Sequence, residues 1–137
     1  MIGFVLVGTN DLNRAMCFYN EICASLGAKR LYQMTNGCVG VVYGAETGPT
    51  LGVVQPFDGR PATSGNGIMV ALPAASPEGV DRVHALALYL GGTNEGTPGP
   101  RGNGTAYCAY FRDPDGNKLC IYHQISEANT RSGPPNV

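Results

Sequence analysis

The stretch YCAYFRDPDGNKLCIYH, residues 107–123, carries the strongest structural signal in the chain. Its centre, DPDGN at residues 113–117, combines proline, glycine, aspartate and asparagine, the residue types that favour a tight turn. Apolar and aromatic residues on both sides of this turn predict two β-strands, and therefore a hairpin. Because side chains alternate along a strand, we expect Cys120 and Tyr122 on one face and His123 on the other.

Outward from this hairpin, one order of elements, β-α-β-β-β, occurs twice. Helices are predicted over 12–26 and 77–90, where apolar residues recur at three- and four-residue spacing. A loop is predicted over 97–104, which is rich in glycine and proline. Phe4 and Met69 occupy equivalent places in the two halves, which indicates a duplication with a period of about 65 residues. In addition to the hairpin, strands are predicted at 2–8, 29–34, 38–43, 50–55, 68–72 and 93–95.

Composition limits the classes of function. The chain has 137 residues, enough for one domain with a substantial core, and a formal net charge of −1 without a run of charges. This argues against nucleic acid as the partner, and no apolar stretch is long enough to span a membrane. No signal peptide is recognisable, so we expect a cytoplasmic location. Five cysteines without a Cys-x-x-Cys pair indicate free thiols rather than disulfides or a zinc knuckle.

Three features together carry a family resemblance: the Asp-Pro-x-Gly-Asn turn, the duplication, and the sequence Asn-Asp-Leu at residues 10–12 before a helix that contains Phe18 and Tyr19. With these the chain resembles the vicinal oxygen chelate superfamily, which includes glyoxalase I, bleomycin-resistance proteins and extradiol dioxygenases. The alternative is a generic α+β domain without this relationship.

The resemblance implies an α+β fold of two βαβββ modules, about residues 1–62 and 66–124. The modules would form an open eight-stranded half-barrel with a cavity inside and the helices outside, as a single domain over residues 1–124. Many members of the superfamily are homodimers, so a homodimer is expected. The polar segment 125–137 is expected to be a flexible C-terminal tail.

The resemblance also implies where a metal ion would bind in metal-dependent members. The ligand positions in the first strand of each module fall at Phe4 and Met69, and that in the last strand of the second module falls at Cys120. The last strand of the first module offers only Gln55 as a coordinating type. Phenylalanine and methionine do not supply the N and O donors that such a site needs, so no metal and no other cofactor is expected. His123 is expected to face away from Cys120.

Several side chains are candidates for lining a ligand cavity. Arg101, before the hairpin, could hold a carboxylate or phosphate, or be a solvated loop charge. Cys120 could be a reactive thiol, or simply a small lining residue. Tyr107 and Tyr110 fall on opposite faces, so only one of them can reach the cavity. Bulky apolar residues could hold a ligand or merely fill the space. The full set of candidates is Phe4, Gln55, Met69, Arg101, Tyr107, Cys120 and Tyr122.

Two functions remain open from the sequence, and with them the question of whether the protein is an enzyme. The first is metal-free binding of a small molecule, similar to the bleomycin-resistance proteins. The second is a lyase or isomerase like glyoxalase I that would hold zinc or nickel on unusual ligands such as Gln55, Cys120 or His123. A weaker possibility is metal-free catalysis built on Arg101 and a tyrosine.

Overall fold

The computed structural model describes residues 1–125, so the predicted tail falls outside the described residues from position 126 onward. Within the described residues the predicted α+β class and the twofold β-α-β-β-β order are confirmed. The elements are β1 Phe4–Gly8, α1 Leu12–Ser25, β2 Lys29–Met34, β3 Gly40–Gly44, β4 Thr50–Val54, β5 Val70–Pro73, α2 Pro77–Tyr89, β6 Thr93–Arg101, β7 Ala106–Arg112 and β8 Lys118–Gln124.

Each module forms its own four-stranded sheet with the same spatial order. The N-terminal sheet has the order β1-β4-β3-β2, and the C-terminal sheet has the order β5-β8-β7-β6. In both sheets the first strand of the module pairs in parallel with the last, and the remaining pairs are antiparallel. The identical strand order is the structural counterpart of the duplication.

The two modules are joined through their helices. Helix α1 contacts helix α2, and both helices share one apolar core with the helix-facing sides of the two sheets. Phe18 of α1 packs against Phe111 of β7, with ring centroids 6.1 Å apart. Within residues 1–125, no strand of one sheet approaches a strand of the other. The eight strands are therefore divided into two open sheets, and the helices lie on the side of each sheet opposite its open face.

The turn at residues 113–117 fixes the C-terminal module against the start of α1. The buried Asp113 carboxylate accepts a hydrogen bond of 2.6 Å from the Tyr19 hydroxyl. The Asp115 carboxylate accepts from the Thr9 hydroxyl at 2.6 Å and from the Arg14 guanidinium at 2.9 Å. Asn117 Nδ2 donates to the Gly8 carbonyl at 2.8 Å. These contacts tie the two modules to each other.

The prediction of a loop over 97–104 is wrong for residues 97–101, because β6 continues as far as Arg101. Strand β6 lies at the edge of its sheet, where Pro98 and Pro100 are tolerated although neither can donate a ladder hydrogen bond. The pairing with β7 is irregular between Asn94 and Gly99, where the strand bulges. The consequence is that Arg101 is held on a strand rather than in a loop.

Neither helix in the described part of the chain combines the length and apolar character needed to cross a bilayer.

Candidate ligand-binding faces

The face of the N-terminal sheet that points away from the helices is apolar. Val5 and Val7 pack into the core, so the alternate residues Phe4 and Leu6 lie on the other side. There Phe4 is 67% exposed and Tyr32 of β2 is 57% exposed. We call this surface the N-terminal open face; by strand register it comprises Phe4, Leu6, Tyr32, Met34, Gly40, Val42, Gly52 and Val54.

A glycine shapes the centre of the N-terminal open face. Gly52 pairs with Leu6, and a Cβ atom at this position would meet the Leu6 Cδ2 methyl group. The Leu6 side chain therefore lies across the space that a side chain at position 52 would fill. The centre of this face is therefore a shallow apolar surface, and two exposed aromatic rings, Phe4 and Tyr32, belong to the same face.

The corresponding face of the C-terminal sheet is aromatic and partly cationic. Leu119 and Ile121 are fully buried against the helices, so Cys120 and Tyr122 point the other way. Cys120 pairs with Tyr110. We call this surface the C-terminal open face; by strand register it includes Ala71, Gly96, Gly99, Arg101, Cys108, Tyr110, Arg112, Lys118, Cys120 and Tyr122. Met69 immediately precedes β5 at the edge of this sheet.

Cys120 is a protonated thiol at neutral pH. Burial, and then the neighbouring Cys108, raise the pKa of Cys120 to about 11. Lys118 has the opposite effect on this pKa, but it is outweighed. A nucleophilic or metal-binding cysteine needs the thiolate form, which this environment disfavours.

The structure brings three of the sequence candidates together on the C-terminal open face, namely Arg101, Cys120 and Tyr122. Met69 lies directly before β5 of the same sheet. The Arg101 guanidinium carbon lies 5.8 Å from the centroid of the Tyr110 ring. Phe4 lies on the N-terminal open face, on the other sheet.

The remaining candidates lie elsewhere. The Tyr107 side chain is on the helix side of its sheet, where its hydroxyl donates to Asp81 of α2 at 2.8 Å. Of the two tyrosines that alternation separated, Tyr110 is therefore the one on the open face. Gln55 follows the end of β4 and borders a cleft with Thr9 and Arg60 rather than the open face.

Both histidines are engaged away from the open faces. His123 faces away from Cys120, as strand alternation predicts, with Nδ1 3.0 Å from the Ala74 carbonyl oxygen. His84 is buried between α2 and β6, with Nε2 3.0 Å from Asn94 Oδ1.

Sequence reasoning missed Lys118, whose ammonium lies 5.7 Å from the centroid of the Tyr110 ring. A signal for it was present, because Lys118 precedes Cys120 by two positions and must share its face. Tyr110 could be placed only once the β7–β8 register was known.

Comparison with known proteins decides the family. The model of the Glyoxalase/Bleomycin resistance protein/Dioxygenase superfamily matches residues 1–121. The chain belongs to this superfamily. A solved glyoxalase/bleomycin resistance protein from Albidiferax ferrireducens is 38% identical in sequence with a TM-score of 0.80, covering 90% of this chain and 98% of that one.

Other members of the superfamily show the same fold at lower identity. A glyoxalase/bleomycin resistance protein/dioxygenase family enzyme from Burkholderia phytofirmans is 18% identical with a TM-score of 0.69, covering 90% of this chain and 98% of that one. A lactoylglutathione lyase from Agrobacterium tumefaciens is 20% identical with a TM-score of 0.64, covering 90% of this chain and 92% of that one. No curated protein matches the chain.

The residues at the superfamily's metal-ligand positions do not fit a divalent metal ion. Phe4 offers no donor atom, Met69 offers a thioether, and Cys120 is held as a neutral thiol. Zinc and nickel sites in proteins are built from imidazole, carboxylate and thiolate groups. Among residues 1–125, no three histidine, cysteine, aspartate or glutamate side chains are grouped closely enough to hold an ion.

Proposed function

We propose that this member of the superfamily binds a small organic molecule on its open faces and does so without a metal ion. The observation that carries the proposal is the chemistry of the residues that replace the usual ligands. Phe4 and Met69 are large apolar side chains that are 67% and 46% exposed. Exposed apolar groups on a rigid sheet are the typical walls of a ligand site.

A second copy of the chain is the natural partner in this proposal. The two sheets of one chain are separate, and their strands do not meet within the described residues. A ligand enclosed between two sheets would therefore need a sheet from another chain. The exposed Phe4, Leu6 and Tyr32 side chains would be partly buried by such pairing. We therefore propose a homodimer as the binding form.

The geometry does not favour a metal-dependent lyase or isomerase of the glyoxalase I type. The unusual ligands that such an enzyme would need lie apart: Gln55 is in a cleft beyond β4, and His123 and Cys120 are on opposite faces of β8. A protein purified without chelator that contained stoichiometric zinc or nickel would favour this second function over the first.

Thermal-shift measurements with a panel of small organic compounds test the proposal. Binding to the folded protein alone must raise the melting temperature, so at least one compound is expected to do so. Phe4→Ala is expected to abolish that shift. Phe57→Ala is the matched control, because Phe57 is also an exposed phenylalanine (81%, against 67% for Phe4) and does not belong to a strand of either open face. A panel without any stabilising compound, or equal loss of the shift in both variants, would count against the proposal.

A further inference from the structure

Tyr110 of the C-terminal open face is flanked by two cations. The Arg101 guanidinium carbon lies 5.8 Å from the centroid of its ring, and the Lys118 ammonium lies 5.7 Å from it. Arg101 comes from β6 and Lys118 from β8, the two strands on either side of β7. At these distances each cation is attracted to the ring. This attraction keeps two positive charges close together on the sheet.

Glycines on β6 make room for this arrangement. Gly96 pairs with Tyr110, and a Cβ atom at position 96 would lie 2.7 Å from Tyr110 Cδ2. A Cβ atom at Gly99 would lie 3.1 Å from Arg101 Nη1. The tyrosine ring and the guanidinium therefore lie flat over the bare backbone of the edge strand. A side chain at position 96 would displace the ring.

The positive charge of Arg101 and Lys118 is not neutralised by ion pairing. The Arg101 guanidinium donates to the carbonyl oxygens of Pro100 and Thr97, both at 3.0 Å, which orients the group without cancelling its charge. In the described part of the chain, neither Arg101 nor Lys118 lies within 4.0 Å of a carboxylate.

The acidic side chain of Glu95, on β6, is already engaged. Glu95 accepts a hydrogen bond of 2.6 Å from Arg112, which lowers the Glu95 pKa more strongly than Lys118 does. Counting Arg101, Lys118 and Arg112 against Glu95, this side of the C-terminal sheet has an excess of two positive charges. A guanidinium with free N–H groups and an ammonium are strong donors to carboxylate and phosphate oxygens.

We propose that the C-terminal open face binds a small organic anion whose carboxylate or phosphate group is held by Arg101 and Lys118. The apolar part of the ligand would lie on Tyr110, Tyr122 and the exposed Met69, which directly precedes β5. This inference rests on the proposed function, and it adds the chemical class of the ligand.

Titration of the ¹⁵N-labelled protein with three matched aromatic probes tests this inference. Benzoate and phenyl phosphate carry an anion and benzamide is neutral, and backbone amide shifts report where each one binds. We expect the two anions to shift the amides of Gly96, Gly99, Tyr110 and Cys120, and the tighter of the two anions identifies carboxylate or phosphate as the preferred group. Benzamide is expected to bind at least tenfold more weakly.

Variants assign the binding to the two cations. Arg101→Gln and Lys118→Gln are each expected to weaken benzoate or phenyl phosphate binding by about tenfold. Lys29→Gln is the control, since it makes the same change in net charge at the N-terminal sheet, where the ammonium lies 3.8 Å from Glu46. Unchanged amide spectra confirm that each variant is folded.

Three results would overturn the inference. The first is no shift of the Gly96, Gly99, Tyr110 and Cys120 amides at up to about 20 mM probe. The others are equal affinity for benzamide and benzoate, and a loss of affinity in Lys29→Gln as large as in Arg101→Gln and Lys118→Gln. The proposed function would survive any of them if the thermal-shift panel yielded a neutral compound whose binding depends on Phe4. If no compound of the panel raised the melting temperature but benzoate or phenyl phosphate shifted these amides, binding would instead be restricted to the C-terminal open face.

Discussion

The two modules have the same strand order and the same position of the helix, yet their open faces differ in chemistry. In the N-terminal module, Leu6 lies over Gly52 and the face is apolar. In the C-terminal module, Tyr110 lies over Gly96 with Arg101 and Lys118 beside it. In each strand, the side chains that face the helices maintain the fold. The side chains on the other face are therefore free to differ and to determine binding.

The turns before the last strands of the two modules differ as much as the faces. Residues 113–117 are buried or half-buried, and they make the hydrogen bonds that join the modules. The equivalent turn of the N-terminal module, residues 45–49, is exposed. Of the two equivalent turns, the one at residues 113–117 therefore connects the modules, and the one at residues 45–49 is a surface loop.

The largest effect is expected from removing the carboxylate of the buried turn. Asp113 accepts hydrogen bonds from the Tyr19 hydroxyl, from the backbone N–H groups of Asp115 and Asn117, and from Asn117 Nδ2. Asp113→Ala leaves these donors unsatisfied in a buried place, so the free energy of unfolding should fall by about 3 kcal/mol. Urea denaturation measures this change.

Glu46→Ala is the matched control in the exposed turn, and we expect a change within about 0.5 kcal/mol. Similar losses in the two variants would mean that the turns are energetically equivalent, contrary to the comparison.

The glycines of the two sheets should respond differently to a methyl group. In Gly40→Ala the new Cβ would meet the Val53 carbonyl oxygen and lie 2.8 Å from Val54 Cα, which are backbone atoms that cannot move aside. We expect a loss of about 2 kcal/mol in urea denaturation. In Gly99→Ala the neighbour is the flexible end of Arg101, so the loss should stay below about 1 kcal/mol. Equal losses would contradict this distinction.

Alkaline pH should destabilise the protein through its buried thiols. Burial raises the pKa of Cys23 in α1 to about 12, and burial with Cys108 raises that of Cys120 to about 11. Each thiol ionises at a lower pH in the unfolded chain than in the folded protein. The two thiols therefore leave the free energy of unfolding unchanged below about pH 9 and lower it as the pH rises above that value.

Between pH 8 and 11, Cys23→Ala should remove about 2 kcal/mol of this decline in the free energy of unfolding. Cys120→Ala should remove somewhat less, because the pKa of its thiol is raised only to about 11. Urea melts at the two pH values compare these variants with the wild type. An undiminished decline in Cys23→Ala would show that its thiol does not contribute.

The smallest effect concerns one surface ion pair in each module. The Arg112 hydrogen bond lowers the Glu95 pKa, so its stabilisation is present above the ordinary carboxyl pKa and is lost as the pH falls through the lowered value. Glu95→Gln should lower the melting temperature by about 2 °C at pH 7 and leave it unchanged in strong acid. Glu46→Gln, whose partner Lys29 is 3.8 Å away, should have no effect at either pH.

Periodicity and turn chemistry made most of the fold predictable. The turn at 113–117 and the recurrence of β-α-β-β-β identified the two modules, because alternation and helical spacing are local properties of the sequence. The extension of β6 to Arg101 could not be predicted, since prolines are tolerated there only because the strand lies at an edge, and its place in the sheet depends on the whole fold.

The candidate site was less predictable than the fold. Strand alternation placed Met69, Cys120 and Tyr122 relative to their neighbours, but it could not choose between Tyr107 and Tyr110 without the register of β7. Nor could it show that the strands form two separate sheets. That arrangement depends on hydrogen bonds between positions about 100 residues apart in sequence, such as Thr9 to Asp115.

The most direct test of the account is to map the amide shifts caused by the compound that raises the melting temperature most. The account predicts shifts concentrated on the open faces, at residues such as Phe4, Leu6, Tyr110 and Cys120, without added metal. Shifts confined to the outer surfaces of the helices or to the cleft beside Gln55, or shifts that require zinc or nickel, would contradict it.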